Sequence, residues 1–172
     1  SPNAKEDLIN PVFKITEDFI LYPLKKQYLL IHFPSLLISF INIHFKPIEE
    51  GSEIPLLIGE PYELVSEELR SFLKTYGLNF QKLDDVKMIL LTIPPYLSEL
   101  PFRKIVGSLI NFFSKVSNDI NLISKKDLDL DTLGLSFSQI KTLIKPFEKN
   151  LADENFVKVF DNDLLNSIYY PT

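Results

Sequence analysis

Two histidines, His32 and His44, are the side chains best suited to acid–base or metal chemistry near neutral pH. Both lie in an apolar run that predicts two strands joined at Pro34-Ser35. In a tight hairpin the two imidazoles would face opposite sides of the sheet, so they could not bind one ion; a longer connection would remove that restriction. We therefore expect both histidines to be packed or surface-lying rather than catalytic.

The alternating carboxylates Asp127, Asp129 and Asp131 are similar to those of a calcium-binding loop. The pattern fails in detail, because Thr132 stands where such a loop needs glycine and Ser138 stands where it needs glutamate. We interpret the segment as an acidic loop before a helix.

Nucleophile and cofactor motifs are absent from the sequence. The chain has no cysteine, and its five scattered glycines form no phosphate-binding loop. Ser108 follows Gly107 inside an apolar helical pattern and lacks the flanking glycines of a nucleophile elbow. The sequence predicts no metal, nucleotide or redox cofactor and no enzyme activity; an enzyme that uses carboxylates, or serine with lysine, is the third-ranked alternative.

Charge argues against direct nucleic-acid binding. The 172 residues include 18 Lys and Arg against 23 Asp and Glu, a net charge of -5, and the pairs Lys25-Lys26 and Lys125-Lys126 are isolated. With 45% hydrophobic residues the chain can form a real core, and we expect one α+β domain over residues 1–172. Because the chain starts at Ser1, we expect a fragment or processed form of a longer chain; compartment stays undetermined.

The first third is predicted to be β-rich. Strands are expected over Val12–Thr16, Tyr28–Phe33, Leu37–Phe45 and Ile54–Ile58, as an antiparallel meander packed against helices from the C-terminal half. The run from Tyr28 to Phe45 also approaches the length of a membrane span, but Pro34 and several polar side chains favour two buried strands.

Helical periodicity dominates the rest of the chain. Helices are predicted over 64–76 with a C-cap at Gly77, over 102–116, from Ser136 to an interruption at Pro146, and over 161–168. Strands are predicted over Val86–Ile93 and 120–124, and 155–160 is left unassigned. The predicted core is Ile31, Phe33, Ile41, Ile43, Val86, Ile89, Leu91, Ile105, Leu109, Phe112 and Phe113.

Aromatic and apolar side chains mark candidate partner-binding positions. Tyr96 lies in the distinctive proline-rich segment 92–101, and the chain ends with Ile168, Tyr169 and Tyr170, although chain ends are normally polar. Either the last helical turn docks onto the domain's own core, or it supplies anchor residues to another subunit.

We expect a non-catalytic protein–protein interaction or assembly subunit, with a protein partner or a homo-oligomer. The alternative is a binding protein for a small apolar ligand or lipid, with some membrane contact and a cavity between the β-rich half and the helix over 102–116.

Overall fold

The computed structural model describes residues 12–115 and 134–170. Its α+β fold confirms the predicted class, with antiparallel sheets from the N-terminal half and helices in the C-terminal half. The strands are β1 (Phe13–Lys14), β2 (Phe19–Leu24), β3 (Gln27–His32), β4 (Ile54–Glu63), β5 (Asn79–Lys82), β6 (Lys87–Ile93) and β7 (Val157–Phe160). The α-helices are α1 (Phe33–His44), α2 (Glu67–Thr75), α3 (Phe102–Lys115), α4 (Phe137–Ile144) and α5 (Asn162–Tyr169), with 3-10 helices over Pro95–Leu97 and Lys145–Asp153.

The chain divides into two compact units, residues 1–40 with 136–172 and residues 41–135. The first unit holds a four-stranded antiparallel sheet in the order β1-β2-β3-β7. The second holds a three-stranded antiparallel sheet in the order β4-β6-β5, together with α2 and α3. Helix α1 carries the chain from one unit into the other.

The predicted strand over Leu37–Phe45 is wrong, because residues up to His44 form helix α1. Pro34 does not divide two strands; it occupies the first turn of the helix, where a missing N–H costs nothing. The hairpin that placed the histidines on opposite faces therefore does not exist. Helix α1 has 12 residues, and no helix among the described residues is long and apolar enough to cross a membrane.

The other predicted elements in the described ranges are largely confirmed. Helix α2 ends as expected, with Gly77 following at φ +87, where an added Cβ would lie 2.6 Å from the Ile48 side chain. Helix α4 starts at a capping box between Ser136 and Gln139, and the chain changes to 3-10 geometry around Pro146. Ser98 ends the 3-10 helix over Pro95–Leu97. The predicted strand over 120–124 and the acidic loop over 127–131 lie outside the described residues.

The core of the second unit is built around stacked aromatic rings. Phe45 lies parallel to Tyr76 with ring centroids 4.2 Å apart, and it stacks on Phe113 of α3 at 5.3 Å. Phe72 of α2 contacts the same Tyr76 and Phe113 rings. Offset and tilted pairs of this kind add about 0.5–1.5 kcal/mol each beyond the area that they bury.

Core predictions were wrong at two positions. Ile43 is 41% exposed and Val86 is 67% exposed. On β6 the fully buried side chains are Met88 and Leu90, whereas Ile89 and Leu91 are only half-buried. Val86 precedes β6, although it has the same parity as Met88, and Ile43 lies in helix α1 rather than on a strand. For Ile89 and Leu91, an unbroken apolar run does not reveal which of the alternating side chains face the core.

Candidate functional site

The four-stranded sheet has two faces that the pairing register separates. Residues paired across β1, β2, β3 and β7 lie on the same face. We call the face that carries Ile20, Ile31 and Val157 the inner face, and all three side chains are buried. The opposite, outer face carries Phe13, Phe19, Leu21, Pro23, Tyr28, Leu30, His32, Lys158 and Phe160.

The inner face is covered by the first unit's own C-terminal helices. The 3-10 helix over Lys145–Asp153 contacts β7, and its Phe147 ring lies 5.1 Å from that of Phe156. On the same face, burial and the nearby Glu148 carboxylate raise the pKa of Tyr22, against the opposing charge of Lys141. This side of the sheet is therefore an ordinary core.

The outer face is nearly as apolar as the inner one. Of its nine positions only His32 and Lys158 are polar. Phe13, Phe19 and Tyr28 are exposed, and Leu21, Leu30 and Phe160 are half-buried. An antiparallel sheet with one wet face normally alternates apolar and polar side chains, and this sheet does not.

A groove of about 350 Å³ crosses the outer face. It is lined by the side chains of Ile15, Leu21, Tyr28, Leu30, Phe160 and Leu165. The first five belong to the sheet and its loop, and the sixth belongs to α5. The surface of this groove is wholly apolar.

Helix α5 extends this apolar surface. Its N-cap is Asp161, whose carboxylate accepts a hydrogen bond from the Leu164 N–H at 2.8 Å. The side chains of Leu164, Leu165, Ile168 and Tyr169 recur at helical spacing and share one face, yet no residue of α5 is buried. We call the outer face and the apolar face of α5 together the open surface.

Three of the four predicted partner-binding residues lie together at the end of the open surface. Ile168, Tyr169 and Tyr170 are 62%, 78% and 69% exposed, and the two tyrosine rings meet edge to face at 4.7 Å. Leu164 and Leu165, which the docking alternative places on the chain's own core, are 39% and 40% exposed.

Tyr96, the fourth predicted residue, belongs to the second unit. It lies in the 3-10 helix over Pro95–Leu97, and its ring stacks on that of His44 with centroids 5.4 Å apart. Burial raises the pKa of its hydroxyl group well above the ordinary value. The buried hydroxyl fits a packing role better than a role as an exposed anchor.

Sequence reasoning missed the outer face. Strand β2 was not predicted, because both of its faces are apolar and Pro23 interrupts the run. The proximity of Phe160 to Tyr28 depends on pairing between opposite ends of the chain. Nothing local signals that pairing.

The histidines are placed as packing residues. The Nδ1 atom of His32 lies 2.7 Å from the Ser35 hydroxyl at the start of α1, and its ring contacts that of Phe19 at 5.2 Å. A serine–histidine contact can activate a nucleophile, but here it is a local contact between the last residue of β3 and the first turn of helix α1, three residues apart. Among the residues that the structure describes, no cluster of His, Cys, Asp and Glu could hold a metal ion.

The second unit exposes a smaller apolar feature. The register of β4 against β6 shifts between Pro55 and Glu60, and the residues between them bulge so that Leu57 and Ile58 are almost fully exposed. A cavity of about 700 Å³ elsewhere on this sheet is lined by residues 61–64 and 85–87, which include Glu63, Asp85 and Lys87. Because its lining mixes acidic, basic and apolar side chains, this cavity indicates no single class of ligand, whereas the groove on the outer face is wholly apolar.

The chain matches no protein-family model and no curated protein by sequence.

Proposed function

We propose that the chain is a non-catalytic protein–protein interaction or assembly subunit, and that the open surface is its contact site. The single observation that carries this proposal is a sheet with two apolar faces, of which the outer one keeps large apolar side chains exposed although α5 borders it. A contiguous apolar patch of this kind on a monomer marks a surface that another molecule covers.

The residue types of the open surface also fit a protein interface. Interface cores are depleted in charged side chains and enriched in aromatic ones, and Tyr28, Tyr169 and Tyr170 combine large contact area with a hydroxyl that can stay hydrated. The edges of the sheet argue for contact through this face rather than through added strands. β1 has only two residues and β7 presents Lys158, both of which discourage edge-to-edge pairing.

A second candidate function is the binding of a small apolar ligand or lipid in the groove. Its volume of about 350 Å³ lies at the lower end of ligand-sized cavities, and its lining is wholly apolar. Sites that hold one defined ligand usually include a few polar groups that orient it, which this groove does not provide. The groove also lies in the first unit and is bordered by α5, not by the helix over 102–116 that the sequence had suggested.

Photo-cross-linking tests the proposal directly. A photoreactive amino acid is placed at Tyr28 or at Leu165, and the protein is irradiated in the cells from which its gene comes. We expect both positions to cross-link to a protein chain, because both line the groove. The same group at Lys149, an exposed residue on the helical layer over the inner face, is the control and should give no such product.

Two other outcomes contradict the proposal. Cross-linking of positions 28 and 165 to a lipid or small molecule alone would favour the second candidate function. An absence of any product from either position would mean that nothing covers the open surface.

A further inference from the structure

The size of the open surface bears on what could cover it. Nine large apolar side chains of β1, β2, β3, their connecting loop, α5 and its C-cap are exposed, from 38% at Phe19 to 78% at Tyr169. With about 200 Å² for each fully exposed large side chain, their exposed area is roughly 900 Å². Each partner of a standard protein–protein interface contributes ~800 Å². A single protein-sized contact would therefore cover the whole surface.

The two ends of the outer face carry opposite charges. The β2–β3 turn at one end is Lys25-Lys26, and the β1–β2 loop at the other end contains Glu17 and Asp18. The six residues of β2 separate them by about 20 Å. The apolar groove lies between these two charged ends.

This arrangement is self-complementary. When the same face of two identical sheets meets, the two-fold axis lies between the sheets. An axis perpendicular to the strands reverses their direction, so Lys25 and Lys26 of each copy face Glu17 and Asp18 of the other. An axis parallel to the strands would instead place like charges together.

We propose that a second copy of this chain covers the open surface, in a two-fold dimer whose facing sheets run antiparallel. This inference rests on the proposed function and names its partner. The outer faces pack sheet on sheet, and α5 of each copy borders the contact. Leu165 lines the groove, and Ile168 lies one turn further along the same helix face, so a partner seated on the groove also contacts Ile168.

The first experiment measures oligomeric state by sedimentation velocity over a wide range of protein concentration. We expect the wild-type chain to form a dimer, and Leu165→Glu and Ile168→Glu each to raise the dissociation constant at least tenfold. Both side chains are exposed, so neither variant should unfold, which circular dichroism checks. Leu57→Glu makes the same kind of change at an exposed apolar residue of the second unit and should leave the dimer intact.

The second experiment tests the antiparallel arrangement through charge reversal. One variant that combines Glu17→Lys with Asp18→Lys, and another that combines Lys25→Asp with Lys26→Asp, each place like charges together at both symmetric contacts, and we expect each to raise the dissociation constant at least tenfold at low salt. An equimolar mixture of the two variants should recover dimers, because every facing pair in the mixed dimer is again of opposite charge. Failure of the mixture to recover would overturn the antiparallel arrangement.

The outcomes separate this inference from the proposed function. A wild-type chain that stays monomeric but cross-links to a different protein through positions 28 and 165 overturns the dimer and supports the proposed function. A monomer that cross-links to nothing overturns both.

Discussion

Tyr62 of strand β4 contacts helix α3 and strand β5 in the second unit, and its burial changes the pKa of its hydroxyl group. From β4 its hydroxyl donates a hydrogen bond to the Arg103 carbonyl oxygen at 3.1 Å, and its ring meets Phe80 edge to face with centroids 5.8 Å apart. Burial, and then the charge of Glu60, raise the pKa of Tyr62 to about 12, although Arg103 acts in the opposite direction. Arg103 also forms an ion pair with Glu60.

The raised pKa predicts a loss of stability in alkali. The folded pKa of about 12 lies above the unfolded value of 10.0, so folding favours the protonated phenol. That contribution is complete below pH 10 and is lost as the pH rises through 12. Tyr62→Phe should cost about 1 kcal/mol at neutral pH through the lost hydrogen bond, and should make the alkaline loss less steep.

Urea unfolding at neutral pH and at several values above pH 10 measures both effects. Tyr169→Phe alters an exposed ring and serves as the control at a protein concentration low enough to keep the chain monomeric, where it should follow the wild-type curve. An alkaline loss as steep in Tyr62→Phe as in the wild type would contradict a half-buried, hydrogen-bonded phenol with a raised pKa.

Individual core residues could be predicted only where the period of the pattern is visible. Ile105 and Leu109 recur on one face of α3 and are fully buried, as expected. Val86 lies between Asp85 and Lys87, and Ile43 between Asn42 and His44, so neither has a clear helical period around it, and both are exposed. The gain from burial depends on tertiary contacts that these local sequences do not encode.

At the scale of elements, helix α1 is the main disagreement between sequence and structure. Leu36, Leu37, Ile38, Phe40 and Ile41 are all buried, so the helix is covered nearly all round and shows no apolar stripe. A short buried helix and a buried strand have the same apolar composition, and the Ile and Phe content favoured the strand. Helices α2, α3 and α4 keep a polar side, and they were predicted correctly for that reason.

Leu109 tests how helix α3 packs into the core of the second unit. Leu109 is fully buried on its inward side, so Leu109→Ala should lower the free energy of unfolding by about 2–5 kcal/mol, the usual cost of a deleted core leucine and its cavity. Leu57→Ala removes the same atoms from a fully exposed position and should change stability by less than about 0.5 kcal/mol. Chemical denaturation compares the two variants. Equal losses would mean that Leu109 does not pack into a core.

At the scale of the whole molecule, sequence order is a poor guide to neighbours. In the first unit, β7 completes the sheet by pairing with β3. This pairing brings Phe160 beside Tyr28, although the two residues lie near opposite ends of the chain. The α+β class could be predicted from local hydrophobic periods. The pairing of β7 with β3 could not, because nothing in the sequence of a strand indicates how far along the chain its partner lies. The sequence therefore predicted the C-terminal part of the proposed contact site, Ile168 to Tyr170, but not the sheet face beside it.

The C-terminal end gives the last prediction, a truncation after Ser167. No residue of α5 is buried, so removal of residues 168–172 should change the monomer's free energy of unfolding by less than about 0.5 kcal/mol. The same truncation removes Ile168, Tyr169 and Tyr170 from the open surface, so assembly should weaken clearly. Unfolding is measured at a protein concentration low enough to keep the chain monomeric, and assembly by sedimentation at higher concentration.

The two readouts distinguish the two roles that the sequence left open for this end of the chain. A decrease of more than about 2 kcal/mol in the monomer's free energy of unfolding would mean that the tail docks onto its own chain. Loss of one buried large apolar side chain costs about that much. A stable monomer that no longer assembles is the expected result, because α5 presents an apolar stripe that its own chain leaves exposed. If stability and assembly are both unchanged, the tail serves neither role, and any partner must be held by the sheet face alone.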